Sequence, residues 1–214
     1  MIPALNAGPQ LGSCLAAVAG ADQIVVVDGG SSDNTRQVAR QAGARVIAAP
    51  RGRGTQLRAG AEAAVGDWLL FVHADTRFEP GWRDCVARHI SEKPGSAACF
   101  TLALDHHAWQ ARLIERAVAA RVRLLALPYG DQGLLIPRGL YDSIGGFRAL
   151  PLMEDVDLVE RIGRKRLVRL DATALTSVDK WQRDGWLRRS ARNLACVALY
   201  RLGVSADHIA RLYG

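Results

Sequence analysis

Three groups of side chains in this sequence have the types and spacing for chemistry. The first is His73-Ala74-Asp75, directly after the apolar run Trp68–Val72. One carboxylate and one imidazole can hold a hard divalent ion, provided a substrate's phosphate oxygens supply the remaining ligands. The plainer reading is a strand-ending turn in which Asp75 caps the next segment. The second group is Glu154-Asp155-Val156-Asp157, three acids in four residues at the start of a helical pattern. Acids there complement the positive end of the helix dipole; alternatively, Glu154 or Asp155 takes a proton from an incoming nucleophile as general base. The third group, Asp28-Gly29-Gly30-Ser31-Ser32-Asp33, closes the run Ile24–Val27. Its glycines permit a tight turn and close backbone approach to a ligand. A turn with a helix cap explains Asp33 better than it explains a carboxylate ending an apolar strand. Gly145-Gly146-Phe147 reads as a ligand-hugging loop, and Tyr129-Gly130-Asp131-Gln132 as a polar turn opening a strand.

These residues need a scaffold, and the first two thirds of the chain alternate short apolar runs with helical patterns. That alternation signals βα units around a parallel sheet. Strands are expected at Ile24–Val27, Arg45–Ala48, Trp68–Val72, Ala97–Leu104, Gly133–Pro137 and Leu167–Ser177. Helices are expected from the Ser32-Asp33 cap to about Gln41, over Gly54–Val65, and from Pro80 to about Ile90. Ala108–Ala126 reads as a long helix with Leu113, Ala117, Ala120 and Leu124 as its apolar positions, and this helix offers a dimer face. Glu154–Arg164, Trp186–Leu202 and Ser205–Tyr213 complete the helical set. In open parallel sheets ligands bind beyond the carboxyl ends of the strands. Asn6, Asp28–Asp33 and His73–Asp75 each follow a strand and should share one rim. A first strand closing at Ile2 would be short, so the expectation is that the chain begins too late to include all of it.

Composition narrows the class. The 214 residues are 49% hydrophobic and 23% charged, which suits one globular domain rather than a disordered chain. No apolar run approaches the roughly 18 residues a membrane span requires, and Met1-Ile2-Pro3 lacks the features of a signal peptide. Cys14, Cys85, Cys99 and Cys196 form no CxxC pair, so reduced thiols and a cytoplasmic enzyme are expected. The net charge is +7, and 25 of the 28 basic residues are arginine. Residues 180–214 carry +5 of that charge. Arginine forks suit phosphate oxygens or an anionic membrane surface, although a solvated helix face gives the same pattern. Standard nucleotide loops fail: Gly52-Arg53-Gly54 begins like GxGxxG but reaches Leu57 at the sixth position, and GxxxxGK[ST] and HExxH do not occur.

The order of these pieces resembles the family 2 glycosyltransferases of the GT-A fold. The resemblance rests on Ile2-Pro3-Ala4-Leu5-Asn6, Val27–Thr35, His73-Ala74-Asp75, Gly145-Gly146-Phe147 and Glu154-Asp155, and it runs over essentially the whole chain. The finer pattern is similar to the short soluble subgroup of radical-SAM/selenodomain-associated glycosyltransferases. It rests on Arg51-Gly52-Arg53-Gly54-x-Gln56, Phe71-x-His73-Ala74-Asp75-Thr76, Gly130-Asp131-Gln132, Pro151-Leu152-Met153-Glu154-Asp155 and Tyr200-x-x-Gly203.

The resemblance implies an α/β fold: a GT-A, Rossmann-like, mostly parallel sheet flanked by helices, with a helical C-terminal tail. It implies one domain over 1–214, with a nucleotide-sugar-binding half (1–104), an acceptor half (105–179) and a basic tail (180–214). The implied reaction moves a sugar, with inversion, from a nucleotide diphosphate sugar to a hydroxyl acceptor. Asp155 would be the base, with Glu154 beside it. Pro3, Ala4, Asn6, Asp28, Gly29, Asp33, Arg53, Gln56, His73, Ala74, Asp75 and Gly146 would hold the donor, with Arg51 and the tail arginines near its diphosphate. Asp75, joined by His73, would reach that diphosphate through Mg²⁺ or Mn²⁺. Asp131, Gln132 and Trp181 would meet the acceptor, with Lys180-Trp181 resembling an element that closes such sites. A lipid-linked acceptor and peripheral membrane contact through the tail are consistent with its charge. The chain departs from the family at Ala7, where glutamate is usual, at Gly29 for a second aspartate, at Arg58 for asparagine, and at His73 for the first acid of the DxD motif.

Competing readings have weaker footing in the sequence. A nucleotidyltransferase needs a glycine-rich, lysine-containing loop after the first strand, and Asn6-Ala7-Gly8-Pro9-Gln10 has no lysine. A non-catalytic module that keeps the nucleotide pocket is the rival of another class. Nucleic acid is not expected as a partner, since aromatic residues are only 6% and no stacking pattern stands out.

Overall fold

The computed structural model describes residues 1–213; the side chains of Lys180 and Tyr213 lie outside the described atoms, and so does the proposed role of the Lys180 ammonium. The chain runs β1 (Ile2–Ala4), α1 (Gly8–Ala17), β2 (Val25–Asp28), α2 (Thr35–Gln41), β3 (Arg45–Ala48), α3 (Arg53–Ala63) and β4 (Trp68–Phe71). It continues through β5 (Thr76–Phe78), α4 (Trp82–Glu92), β6 (Ala97–Leu104), α5 (Trp109–Leu125), β7 (Leu134–Pro137), α6 (Arg138–Ser143) and α7 (Glu154–Ile162). Last come β8 (Leu167–Thr176), α8 (Asp179–Asp184), α9 (Trp186–Arg201) and α10 (Ala206–Tyr213).

The β-branched run predicted as a doubly covered strand becomes β2, whose Val25, Val26 and Val27 are buried. It pairs in parallel with β1 (Ile2↔Val26) and β3 (Val26↔Val46). The second sheet has the order β4-β7-β6-β8-β5. Met1 joins the two sheets: its amino group donates to the Leu70 carbonyl and its own carbonyl accepts from Val72 N–H.

The α/β class, flanking helices and helical tail follow the expectation, while the second sheet mixes directions. β7 is antiparallel to both β4 and β6, β5 is antiparallel to β8, and β6 and β8 are parallel. The antiparallel β7 matters for the site. Its first residue, Leu134, lies opposite Phe71, the last residue of β4. The polar turn before β7 therefore reaches the rim that His73 leaves from.

Apolar clusters cover both faces. Leu11, Leu15, Val26, Phe78, Trp82 and Phe100 pack on the α1 side, and Leu57, Leu69, Ile136, Phe147 and Leu158 on the α3–α7 side. Helix α5 forms over nearly the expected residues. It buries Ala111, Val118 and Val122, whereas Leu113, Ala117, Ala120 and Leu124 face outward. The helix carries two apolar stripes, and periodicity alone does not say which one meets the core. Among the described residues no helix is long and apolar enough to cross a membrane.

Candidate active site

The loops that follow β1 and β2 are knitted together before they present anything to a ligand. Asn6 takes a left-handed backbone (φ 49°), a conformation asparagine tolerates better than most residues. Its amide oxygen accepts from Ser32 N–H at 2.9 Å, and its own N–H donates to Ser31 Oγ at 2.9 Å. From the other side, Gln56 of α3 donates to the carbonyls of Ala4 and Val27 at 2.9 and 2.7 Å.

Beyond this rim opens a cleft of about 890 Å³, within the range of small-molecule sites. Twelve of the seventeen residues assigned to the site from sequence line it: Pro3, Ala4, Asn6, Arg53, Gln56, His73, Ala74, Asp75, Asp131, Glu154, Asp155 and Trp181. Asp75 and Asp155 thus share one opening, although 80 residues separate them.

Asp155 is held by backbone. Its Oδ2 accepts from Gly130 N–H at 2.7 Å and its Oδ1 from Val156 N–H at 2.8 Å. His73 lies against the same turn, and a Cβ on Gly130 would come within 2.4 Å of its Nε2. Glycine at 130 is what lets imidazole, turn and carboxylate converge. The helix that delivers Asp155 begins after Met153, a non-glycine residue in the left-handed region (φ 66°). Such backbone typically costs on the order of 1–3 kcal/mol and persists where surrounding structure over-determines it.

Glu154, next to Asp155 in the chain, is buried in the wall of the cleft. Its side chain is 1% exposed, Arg53 Nη1 lies 3.5 Å from Oε1, and neither carboxylate oxygen has a hydrogen-bond partner. Burial, then the neighbouring charge of Asp155, pushes its pKa up to about 7 against the pull of Arg53. Asp157, the third acid, serves structure: it receives Arg148 Nη1 at 2.8 Å and Tyr200 O–H at 3.2 Å and also pairs with Arg161, tying α7 to α9.

Five assigned residues do not line the cleft, and packing explains each. Asp28 is 1% exposed and accepts from Arg36 Nε at 2.6 Å and from the N–H groups of Gly30 and Ser31. Burial alone would raise its pKa, but the bonds from Ser31 and Arg36 outweigh that and lower it. Asp33 accepts from the N–H groups of Gly8 and Thr35 and from the Thr35 hydroxyl. Gly29 makes room for Gln56, whose amide would lie 3.0 Å from an added Cβ. Gly146 turns at φ 60° against the Tyr141 ring. Gln132 is 1% exposed and donates to the Phe100 carbonyl. Each of the five is engaged in holding a turn or in packing.

The reverse case is Asp184, which sequence reasoning passed over. It accepts from Arg189 Nη1 and Arg192 Nη2 at 2.7 Å each and from Arg183 Nε at 2.9 Å. All four side chains line the cleft beside Trp181, whose ring faces the Arg189 guanidinium at 5.3 Å. Arg183 foremost, with Arg192 and Arg189, holds the Asp184 carboxyl well below the ordinary carboxylate range. A signal was present: Asp184 is the lone acid between residues 180 and 206, a stretch dense in arginine. Cys14 and Cys99 offer no nucleophile, since burial pushes both thiols up to about 12.

Asp75 and His73 fit a divalent ion conditionally. Among the described residues no group of three or more His, Cys, Asp or Glu is placed to hold a metal. Two protein donors suffice for a hard cation only when a diphosphate brings further oxygens.

Comparison with known proteins agrees with this architecture. S. aureus TarS 1–349, crystallised in complex with UDP-GlcNAc, matches with a TM-score of 0.64 at 18% identity, covering 82% of this chain and 57% of that one. Glucosyl-3-phosphoglycerate synthase from Mycobacterium tuberculosis, crystallised with Mn²⁺ and UDP-glucose, matches with a TM-score of 0.63 at 19% identity, covering 95% and 78%. At such identities the likeness concerns the fold. Uncharacterized glycosyltransferases of Mycobacterium bovis and Mycobacterium tuberculosis are 35% identical over 82 residues, and the match spans 38% of their length and 38% of this chain. The pattern of the family described as "Glycosyl transferase family 2" covers residues 1–151. A match over that much of the chain, on this fold, places the protein in glycosyl transferase family 2.

Proposed function

We propose that the protein is an inverting glycosyltransferase that moves a sugar from a nucleotide diphosphate sugar to a hydroxyl acceptor, with Asp155 as general base. The observation that carries this reading is the convergence of Asp75 and Asp155 on one cleft. In the reaction, Asp155 takes the proton of the acceptor hydroxyl as its oxygen bonds to the anomeric carbon. The bond from that carbon to the diphosphate oxygen breaks on the opposite face, and the electron pair leaves with the nucleotide diphosphate. The two backbone N–H groups on Asp155 orient its carboxylate for the transfer. Bound Mg²⁺ or Mn²⁺ would neutralise charge developing on the diphosphate. Asp75 and His73 would hold that ion, and Arg51 and Arg53 would face the same charge from the start of α3. Glu154, buried behind Arg53, would set the position of that guanidinium. Trp181 and Asp131, which also line the cleft, would meet the acceptor.

Residues 1–104 would form the donor half, 105–179 the acceptor half and 180–214 the tail. The motifs from Arg51 to Gln56 and from Pro151 to Asp155 support membership of the radical-SAM/selenodomain-associated subgroup, and four free cysteines suit a cytoplasmic enzyme. The test is a thermal-shift panel of nucleotide sugars with and without Mn²⁺. One donor should raise the melting temperature, since a ligand at about 100 times its Kd adds about 2.7 kcal/mol of stability. The shift should need Mn²⁺ and vanish in Asp75→Ala. A panel without any shift, or an equal shift in Asp75→Ala, contradicts the reading.

A further inference from the structure

Helix α9 has two working faces. Its inner face lines the cleft with Arg189, Arg192 and Asn193. Its outer face carries Leu187 and Leu194, 81% and 62% exposed, with Leu202 just past its end at 81% and Ser190, Ala191 and Ala198 between them at helical spacing. Helix α5 repeats the pattern with Trp109, Leu113 and Leu124 at 70%, 53% and 64% exposed. The two helices approach each other through residues at and beyond their ends. The inner residues of α5 share an apolar cluster with Trp181 and Trp186, the His106 and Trp186 rings sit 5.7 Å apart, and Leu127 meets Cys196 and Val197 of α9. The inner residues of α5 and α9 pack in two neighbouring clusters, and the apolar stripes on their other faces are both exposed. Contiguous exposed apolar surface of this kind marks an interaction site.

We propose that the outer faces of α5 and α9 form a docking surface for an anionic lipid membrane. Charge selects this occupant. The two helices hold eight arginines and one acid, Glu115. Arg116, Arg123 and Arg188 are exposed around the apolar stripes, while Arg201 pairs with Glu160 at 2.9 Å. Arginine stems can lie along apolar surface while their guanidinium heads meet phosphate headgroups. A second copy fits less well, because a two-fold contact would set one arginine rim against the other. The surface differs from the one expected of the basic tail: Arg183, Arg189 and Arg192 turn to Asp184, and leucine and tryptophan form the outward face. Docking would place the cleft, which α9 walls, at the edge of the bilayer.

Vesicle flotation tests this independently of sugar transfer. The full chain is mixed with phosphatidylcholine vesicles with or without about 30 mol% phosphatidylglycerol. The protein should float with the anionic vesicles only. Leu187→Glu combined with Leu194→Glu, and separately Trp109→Glu combined with Leu124→Glu, should each cut the bound fraction roughly tenfold. Arg116→Gln with Arg188→Gln should weaken binding without touching the apolar stripes. Circular dichroism matching the unsubstituted protein establishes that the variants are folded. Failure of the unsubstituted protein to float, equal binding to both vesicle types, or folded leucine variants that float undiminished would overturn the proposal. So would a stable dimer in sedimentation that the same substitutions dissolve, which would assign the face to a second copy.

Discussion

At the scale of single residues, the adjacent carboxylates Glu154 and Asp155 have opposite surroundings. Asp155 is bonded by two N–H groups at the cleft, while Glu154 is buried with a guanidinium 3.5 Å away. The burial of Glu154 has a measurable consequence. Its folded-state pKa is raised from 4.5 to about 7, so the folded protein binds more protons than the unfolded chain between those values. The stability this group contributes is complete below about pH 4.5 and is lost as pH rises through about 7. The melting temperature of the native protein should therefore fall across that window relative to Glu154→Gln. Parallel profiles for the two proteins would show that Glu154 does not titrate there. Sequence alone left Glu154 and Asp155 interchangeable as bases, because adjacent positions at a helix start share the same local signal. The direction each side chain takes is decided by α3 and the Gly130 turn, which are remote in the chain.

Among the elements, α3 places Arg53 and Gln56 by packing closely against the loop that leads into α7. A Cβ on Gly54 would lie 2.2 Å from the Arg148 carbonyl oxygen, a backbone atom that cannot swing aside. Gly54→Ala should destabilise the fold by about 1–3 kcal/mol, the usual cost of overpacking, read as a lower denaturant midpoint. An unchanged midpoint would mean that the two segments can separate freely. Apolar runs were legible as strands: Arg45–Ala48 and Ala97–Leu104 form strands over the predicted residues. Helix α1 and the short elements β5, α6 and α8 escaped, the short ones because so few residues display little periodicity. The direction of β7 escaped as well, because an apolar run reads the same for parallel and antiparallel pairing. In α5 the two apolar stripes concealed which face is buried.

At the scale of the whole molecule, the rim rule for open sheets carried the site furthest. Residues after strand ends, such as Asn6, His73 and Asp75, reach the cleft. Asp28, at the end of β2, is buried in its own loop by bonds to Arg36, Gly30 and Ser31. Asp184 was missed because only the folded tail brings three arginines around it. The proposed reaction divides the labour within the cleft, with Asp75 assigned to donor binding and Asp155 to proton removal. Asp155→Asn separates the two most directly. Release of nucleotide diphosphate from the donor that stabilises the protein should slow by roughly 10²–10⁴-fold, the usual contribution of a general base. Calorimetry on the same variant should give a donor affinity equal to that of the native enzyme. Turnover at the native rate would contradict this division of labour.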